Sequence, residues 1–101
     1  MYKYVLVSAY KDRYDRPINI ELIAIFDTVE DASLYLKENC IKKEDKNIKE
    51  AIEKKYTLAC GEDDEYYYLQ YLDGVLISYR TSCSSLNEYI GESYEILKIK
   101  A

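Results

Sequence analysis

Residues 65–72 read EYYYLQYL, Asp73-Gly74 follows, and residues 75–82 read VLISYRTS. Two segments rich in tyrosine and aliphatic residues flank an Asp-Gly pair, the strongest short-range signal for a β-hairpin. Both central residues can take positive φ in a type I′ turn, whose twist matches that of paired strands. A two-residue turn predicts a register in which Leu72 faces Val75, Gln70 faces Ile77, Tyr68 faces Tyr79 and Tyr66 faces Thr81. The other face then carries Tyr71 with Leu76, Leu69 with Ser78 and Tyr67 with Arg80. The first face, with Tyr68, Ile77 and Tyr79, is the expected core side. The second joins apolar residues to an arginine. Tyr67, Leu69, Tyr71, Leu76 and Arg80 are therefore the expected interaction surface, because aromatic and arginine side chains dominate the energetics of protein interfaces.

Working outward, residues 2–10 alternate so that Val5, Val7 and Ala9 oppose Tyr4, Leu6, Ser8 and Tyr10. Apolar content on both sides predicts an inner strand. A polar connection, KDRYDRP, carries Arg13 and Arg16, the candidate contacts for an anion. Residues 18–26 return to β-like composition. Asp27 or Thr28 is placed to cap a helix over 29–39, with acidic residues in its first turn. Val29, Ala32, Leu36 and Cys40 form its apolar stripe. The lysines of 42–46 form a solvated basic run. A second helix is expected from residue 47 or 48 to residue 58 or 59, with Gly61 at its positive-φ end. Glu50 and Lys54 form an i,i+4 pair in the favourable orientation. The acidic run 62–65 reads as a solvated turn. After Ser82, the residues Ser84, Ser85, Asn87 and Glu88 favour a loop or short helical turn. Residues 93–100 form a last strand, whose terminal lysines suit a sheet edge. The expected architecture is one compact α+β domain over 1–101. It has a mostly antiparallel sheet, two helices packed on it and the order β-β-α-α-β-β-β.

The chain has 101 residues, a formal charge of −5, thirteen tyrosines and no histidine. That length supports a hydrophobic core without metals or disulfides. The absence of histidine excludes Ser-His-Asp and Cys-His catalysis and every histidine metal triad. No glycine-rich phosphate loop is present. Glu21, Glu53, Asp73 and Glu88 are carboxylates that no spacing selects as a catalytic pair. No catalytic residue, metal ligand or cofactor is assigned, and the chain reads as a non-enzyme. The acidic balance disfavours direct nucleic-acid binding and suits a partner with a basic surface. Cys40, Cys60 and Cys83 form an odd set without a CxxC pair, as expected of reduced cysteines in a cytoplasmic protein. No apolar run is long enough for a membrane span and no leader is seen.

The overall character of the chain resembles that of small proteins of low-GC bacteria and their phages. The likeness implies inhibition of a host protein, and it transfers no functional residue. The expected function is a noncatalytic protein-interaction domain, an inhibitor or adaptor that sterically masks a partner. The alternatives are a binder of a nucleotide or other small anionic ligand, and an enzyme without a recognisable motif. A homodimer is expected, because two short helices cannot cover so much apolar sheet surface.

Overall fold

The computed structural model describes residues 1–11, 17–41, 46–60, 65–83 and 91–100. The elements are β1 (Tyr2–Lys11), β2 (Pro17–Phe26), α1 (Val29–Tyr35) continued by a π-helical turn (Leu36–Cys40), α2 (Lys46–Lys54), β3 (Leu58–Cys60), β4 (Glu65–Leu72), β5 (Val75–Cys83) and β6 (Gly91–Lys100). The six strands form one sheet in the order β2-β1-β6-β5-β4-β3. All neighbouring pairs are antiparallel. The α+β class, the antiparallel sheet and the two helices are those read from the sequence, with the short β3 in addition. No helix among the described residues is long and apolar enough to cross a membrane. The 84–90 connection, Gly61, the acids 62–64 and Lys42 and Lys43 lie outside the described residues.

Both helices cover one face of the sheet. Leu6, Ile96, Tyr79, Tyr67, Leu69 and Leu76 rise from the strands to meet Ala32 and Leu36 of the first helical segment and Ile48 and Ala51 of α2. Each large aliphatic side chain buried there contributes about 1.5–3 kcal/mol of transfer free energy. Thr28 caps α1, its Oγ1 accepting from the Asp31 amide at 3.1 Å. Asp27, the other candidate cap, instead pairs with Lys3 across the β1–β2 edge.

The Asp-Gly turn forms as expected, with φ of 50° at Asp73 and 80° at Gly74. Near it the register also holds: Leu72 pairs with Val75 and Tyr71 with Leu76. Beyond it the register slips. Gln70 pairs with Ser78 rather than Ile77, because a bulge leaves Ile77 as an extra residue in β5. Side chains alternate along a strand, so one inserted residue reverses the facing of everything after it. Tyr79 thereby moves opposite Leu69, and Arg80 moves opposite Tyr68. The expected core face is thus corrected. Tyr67 and Tyr79 share the helix-covered face, each 1% exposed, whereas Tyr68 stands on the other face, 40% exposed.

Two further expectations change. β6 is no edge; it lies between β1, to which ten residue pairs bind it, and β5, which it meets over only three, Ser78–Glu95, Tyr79–Tyr94 and Arg80–Ser93. And α2 ends at Lys54, short of the expected end at residue 58 or 59. Lys55 takes φ of 58°. Its amide donates to the Ile52 carbonyl at 3.3 Å, and the Tyr56 amide donates to the Ala51 carbonyl at 2.8 Å. This pair of bonds is a Schellman closure built on a lysine, where glycine is the usual residue. The chain can then turn into β3, whose Leu58–Cys60 backbone pairs with β4.

Two substitutions check this arrangement by urea denaturation. Tyr79→Ala is expected to lower stability by about 3–5 kcal/mol, as for other buried aromatic truncations, and Tyr68→Ala by less than about 1 kcal/mol. Equal losses would restore the unbulged register. Lys55→Gly is expected to raise stability by roughly 1 kcal/mol, since it relieves a left-handed backbone on a residue with a Cβ.

Candidate functional site

The face of the sheet opposite the helices carries no covering element among the described residues. Its chemistry changes along the strand order. On β3, β4 and β5 it presents Leu58, Tyr66, Tyr68, Gln70, Leu72 and Arg80; on β2, β1 and β6 it presents mainly aliphatic residues, with Lys3 and Glu95 among them. Cross-strand pairing places these side chains together: Leu58 faces Tyr68, Tyr68 faces Arg80, and Gln70 faces Ser78. Between the halves runs the short β5–β6 seam, lined by buried Ser78 and Ser93 and by exposed Glu95.

A shallow groove of about 620 Å³ lies in the tyrosine-bearing half, between Thr57, Leu58, Tyr68, Gln70, Ile77 and Arg80. The groove lies at the bulge, whose extra residue Ile77 lines it. The Arg80 guanidinium carbon lies 5.8 Å from the centre of the Tyr68 ring. That geometry is a cation–π contact. It holds a flexible cation in place over an aromatic surface, with donors still free to meet an acceptor.

Of the five side chains expected to form an interaction surface, Arg80 lines the groove, on the face opposite to Tyr67, Leu69 and Leu76. Tyr67, Leu69 and Leu76 are in the core, exposed by 2% or less, so they cannot meet a partner in the folded chain. The helices cover the face that was expected to be open, and the bulge adds Tyr79 to it in place of Arg80. Leu69 and Tyr71 border the groove, but the Tyr71 side chain turns to the helices. Its hydroxyl lies 3.3 Å from the Ala51 carbonyl oxygen, which also accepts the Tyr56 amide, and 3.1 Å from the Tyr56 carbonyl oxygen, so it ties β4 to the chain that leaves α2. Burial pushes the Tyr71 phenol above its usual range. Tyr68, Leu58 and Ile77 were not among the expected contacts. The signal for Tyr68 was its neighbour in sequence: of two adjacent tyrosines in a strand only one can face the helices. Arg13 and Arg16 lie outside the described residues.

No match is found among protein-family models, curated proteins or solved structures.

A second concavity, of about 280 Å³, opens on the helix side, where Ser8, Glu21, Tyr35, Cys40, Glu92 and Tyr94 line it. The Tyr94 hydroxyl donates to Glu92 Oε2 at 3.5 Å, a long contact. Burial pushes the Cys40 thiol up, which disfavours the thiolate needed of a nucleophile. No group of three metal-ligating side chains occurs among the described residues.

The raised Tyr71 phenol has a consequence for stability. The fold favours its neutral form, so the stabilisation is complete below the ordinary tyrosine pKa of about 10 and declines as pH rises through the folded-state value. Wild-type stability, measured by urea unfolding, is expected to fall above about pH 10. Tyr71→Phe is expected to flatten that slope and to cost about 1 kcal/mol at neutral pH through the lost hydroxyl contacts. An unchanged slope would mean that the phenol ionises freely in the fold.

Proposed function

We propose that this chain is a noncatalytic protein-interaction domain that binds a partner through the groove around Tyr68 and Arg80 and masks it sterically, as a cytoplasmic inhibitor or adaptor. The single observation carrying this reading is Arg80 held over the Tyr68 ring on an apolar, helix-free sheet face. Tyrosine and arginine are the side chains that most often concentrate binding energy at interfaces. A shallow, open groove suits a protein surface better than a small molecule, which needs an enclosed pocket.

Mechanistically, an apolar side chain of the partner packs on Leu58, Tyr68 and Ile77. A carboxylate or carbonyl oxygen on the partner accepts from Arg80, and Gln70 adds a donor and an acceptor at the rim. The overall charge of −5 adds long-range attraction for a partner with a basic surface. The groove itself contributes a cation, so local contact and long-range steering use opposite signs. Masking follows from bulk, because a partner surface held on the sheet is closed to other ligands.

A small anionic ligand with a planar ring is the second reading, favoured by the same Arg80–Tyr68 pair. Native mass spectrometry of the chain purified from cells separates the two, since this reading requires a retained ligand.

The interaction is tested by quantitative pull-down from cell extract with wild type, Tyr68→Ala and Arg80→Glu. A partner enriched by the wild type is then purified and its Kd measured. Each substitution is expected to weaken binding roughly 30-fold, as for interface residues worth about 2 kcal/mol. Equal affinity for all three proteins would overturn the assignment of the groove.

A further inference from the structure

The concavity on the helix side is separate from the Tyr68–Arg80 groove, which lies on the other face of the sheet. Ser8 of β1 forms part of its floor. Glu21 of β2 and Tyr94 of β6 flank it, each directly opposite Ser8 in its own ladder. Glu92 stands two residues before Tyr94 and so on the same face. Its amide donates to Thr81 Oγ1 at 3.1 Å, which fixes the strand there. The end of the first helical segment closes one side with Tyr35, Asn39 and Cys40.

This lining is rich in acceptors and poor in donors. The two carboxylates only accept. Asn39 gives an amide N–H to the Tyr35 carbonyl at 3.1 Å, and its Oδ1 is left to accept. The Tyr94 hydroxyl is directed at Glu92 Oε2. Burial pushes the Cys40 thiol up, so the thiol stays neutral. No lysine or arginine lines the cavity, and neither glutamate forms an ion pair with a described residue. Such a cavity is complemented by a ligand that brings both donors and positive charge. The geometry points to a short aliphatic diamine, with one ammonium on Glu21 and the other on Glu92.

Three observations favour a diamine over other cations. The first is spacing. Glu21 and Glu92 are two strands apart and two residues out of step, so regular sheet spacing separates their Cα atoms by roughly 12 Å. Accordingly, Glu21, Glu92 and Cys40 share the cavity but do not gather around one metal ion. Two separated carboxylates suit two cationic centres. The second is the wall between them. Ile23, Tyr35 and Tyr94 offer apolar surface to methylenes and aromatic surface to ammonium groups. Both rings are held before any ligand arrives: Tyr35 packs on Phe26 at 5.5 Å and Tyr94 on Tyr79 at 6.0 Å. The third is size. A volume of about 280 Å³ is just under the ~300–1,000 Å³ of sites for drug-sized ligands, so the occupant is smaller than a nucleotide.

Isothermal titration calorimetry with putrescine, at low ionic strength and neutral pH, tests this. One putrescine per chain is expected to bind. Glu21→Gln and Glu92→Gln keep the size of each side chain and remove its charge. Each is expected to weaken binding roughly tenfold, as for one lost charge-assisted contact, and the double variant to show no measurable binding, all with an unchanged far-UV circular dichroism spectrum. Glu95→Gln, outside the cavity, makes the same change in net charge and is expected to keep the wild-type affinity. Butylamine, with a single ammonium on the same carbon chain, is expected to bind about tenfold more weakly. No binding at millimolar putrescine overturns the inference. So does an equal loss from Glu95→Gln, which would mark attraction to net charge alone. Equal affinity for butylamine overturns it as well, since the occupant would then be a single ammonium such as a partner's lysine. Displacement of putrescine by an equal concentration of magnesium ion would overturn it in favour of a point cation.

Discussion

Three tyrosine rings bridge the seam at which the two halves of the sheet meet. β5 and β6 share only three residue pairs, whereas β1 joins β6 over ten. Above that seam Tyr67, Tyr79 and Tyr94 stand in a row across β4, β5 and β6. Their ring centres are 5.9 and 6.0 Å apart, and their planes are 13° and 27° from parallel. Offset stacking of this kind adds about 0.5–1.5 kcal/mol per pair beyond the area buried. Tyr79 is the middle ring, so it couples the two ladders of strands. Below the seam small serines line the sheet, and its two halves diverge in chemistry from there.

This row of rings exists only because Ile77 is an extra residue. Without the bulge Tyr79 would point away from the helices and Arg80 would point toward them. The same insertion puts Arg80 opposite Tyr68, beside the groove. Core and candidate site are thus two outcomes of one irregularity in β5. Bulges recur where a strand must re-aim a side chain.

The hairpin turn was readable in the sequence because its cause is local: Asp73 and Gly74 adopt positive φ with little help from elsewhere. The strands, α1 and its Thr28 cap were readable for the same reason. The bulge was not. VLISYRTS alternates acceptably in either register, and tyrosines at 66, 67 and 68 suit both faces. The choice depends on packing against Leu36 and Ile48, contacts that are distant in sequence. The end of α2 was hidden differently. Gly61 has the right chemistry for a C-terminal residue, but the Tyr71 hydroxyl and a left-handed Lys55 end the helix first. Of the expected surface, Arg80 was recoverable because its charge cannot enter the core unpaired, whereas Tyr67, Leu69 and Leu76 had no such label.

The strand order also sets when the fold can be completed. The β1–β2 and β4–β5 pairs each join segments adjacent in the chain, and both can form while synthesis continues. β6, spanning Gly91–Lys100, is the strand that pairs with both β1 and β5. Contacts separated by most of the chain length form late, since a large loop must close first. Until β6 has left the ribosome, a nascent chain therefore carries two unjoined hairpins, each with a bare inner edge. The aliphatic residues of β1 and β2 are then available to chaperones, or to another nascent chain, before β6 is in place.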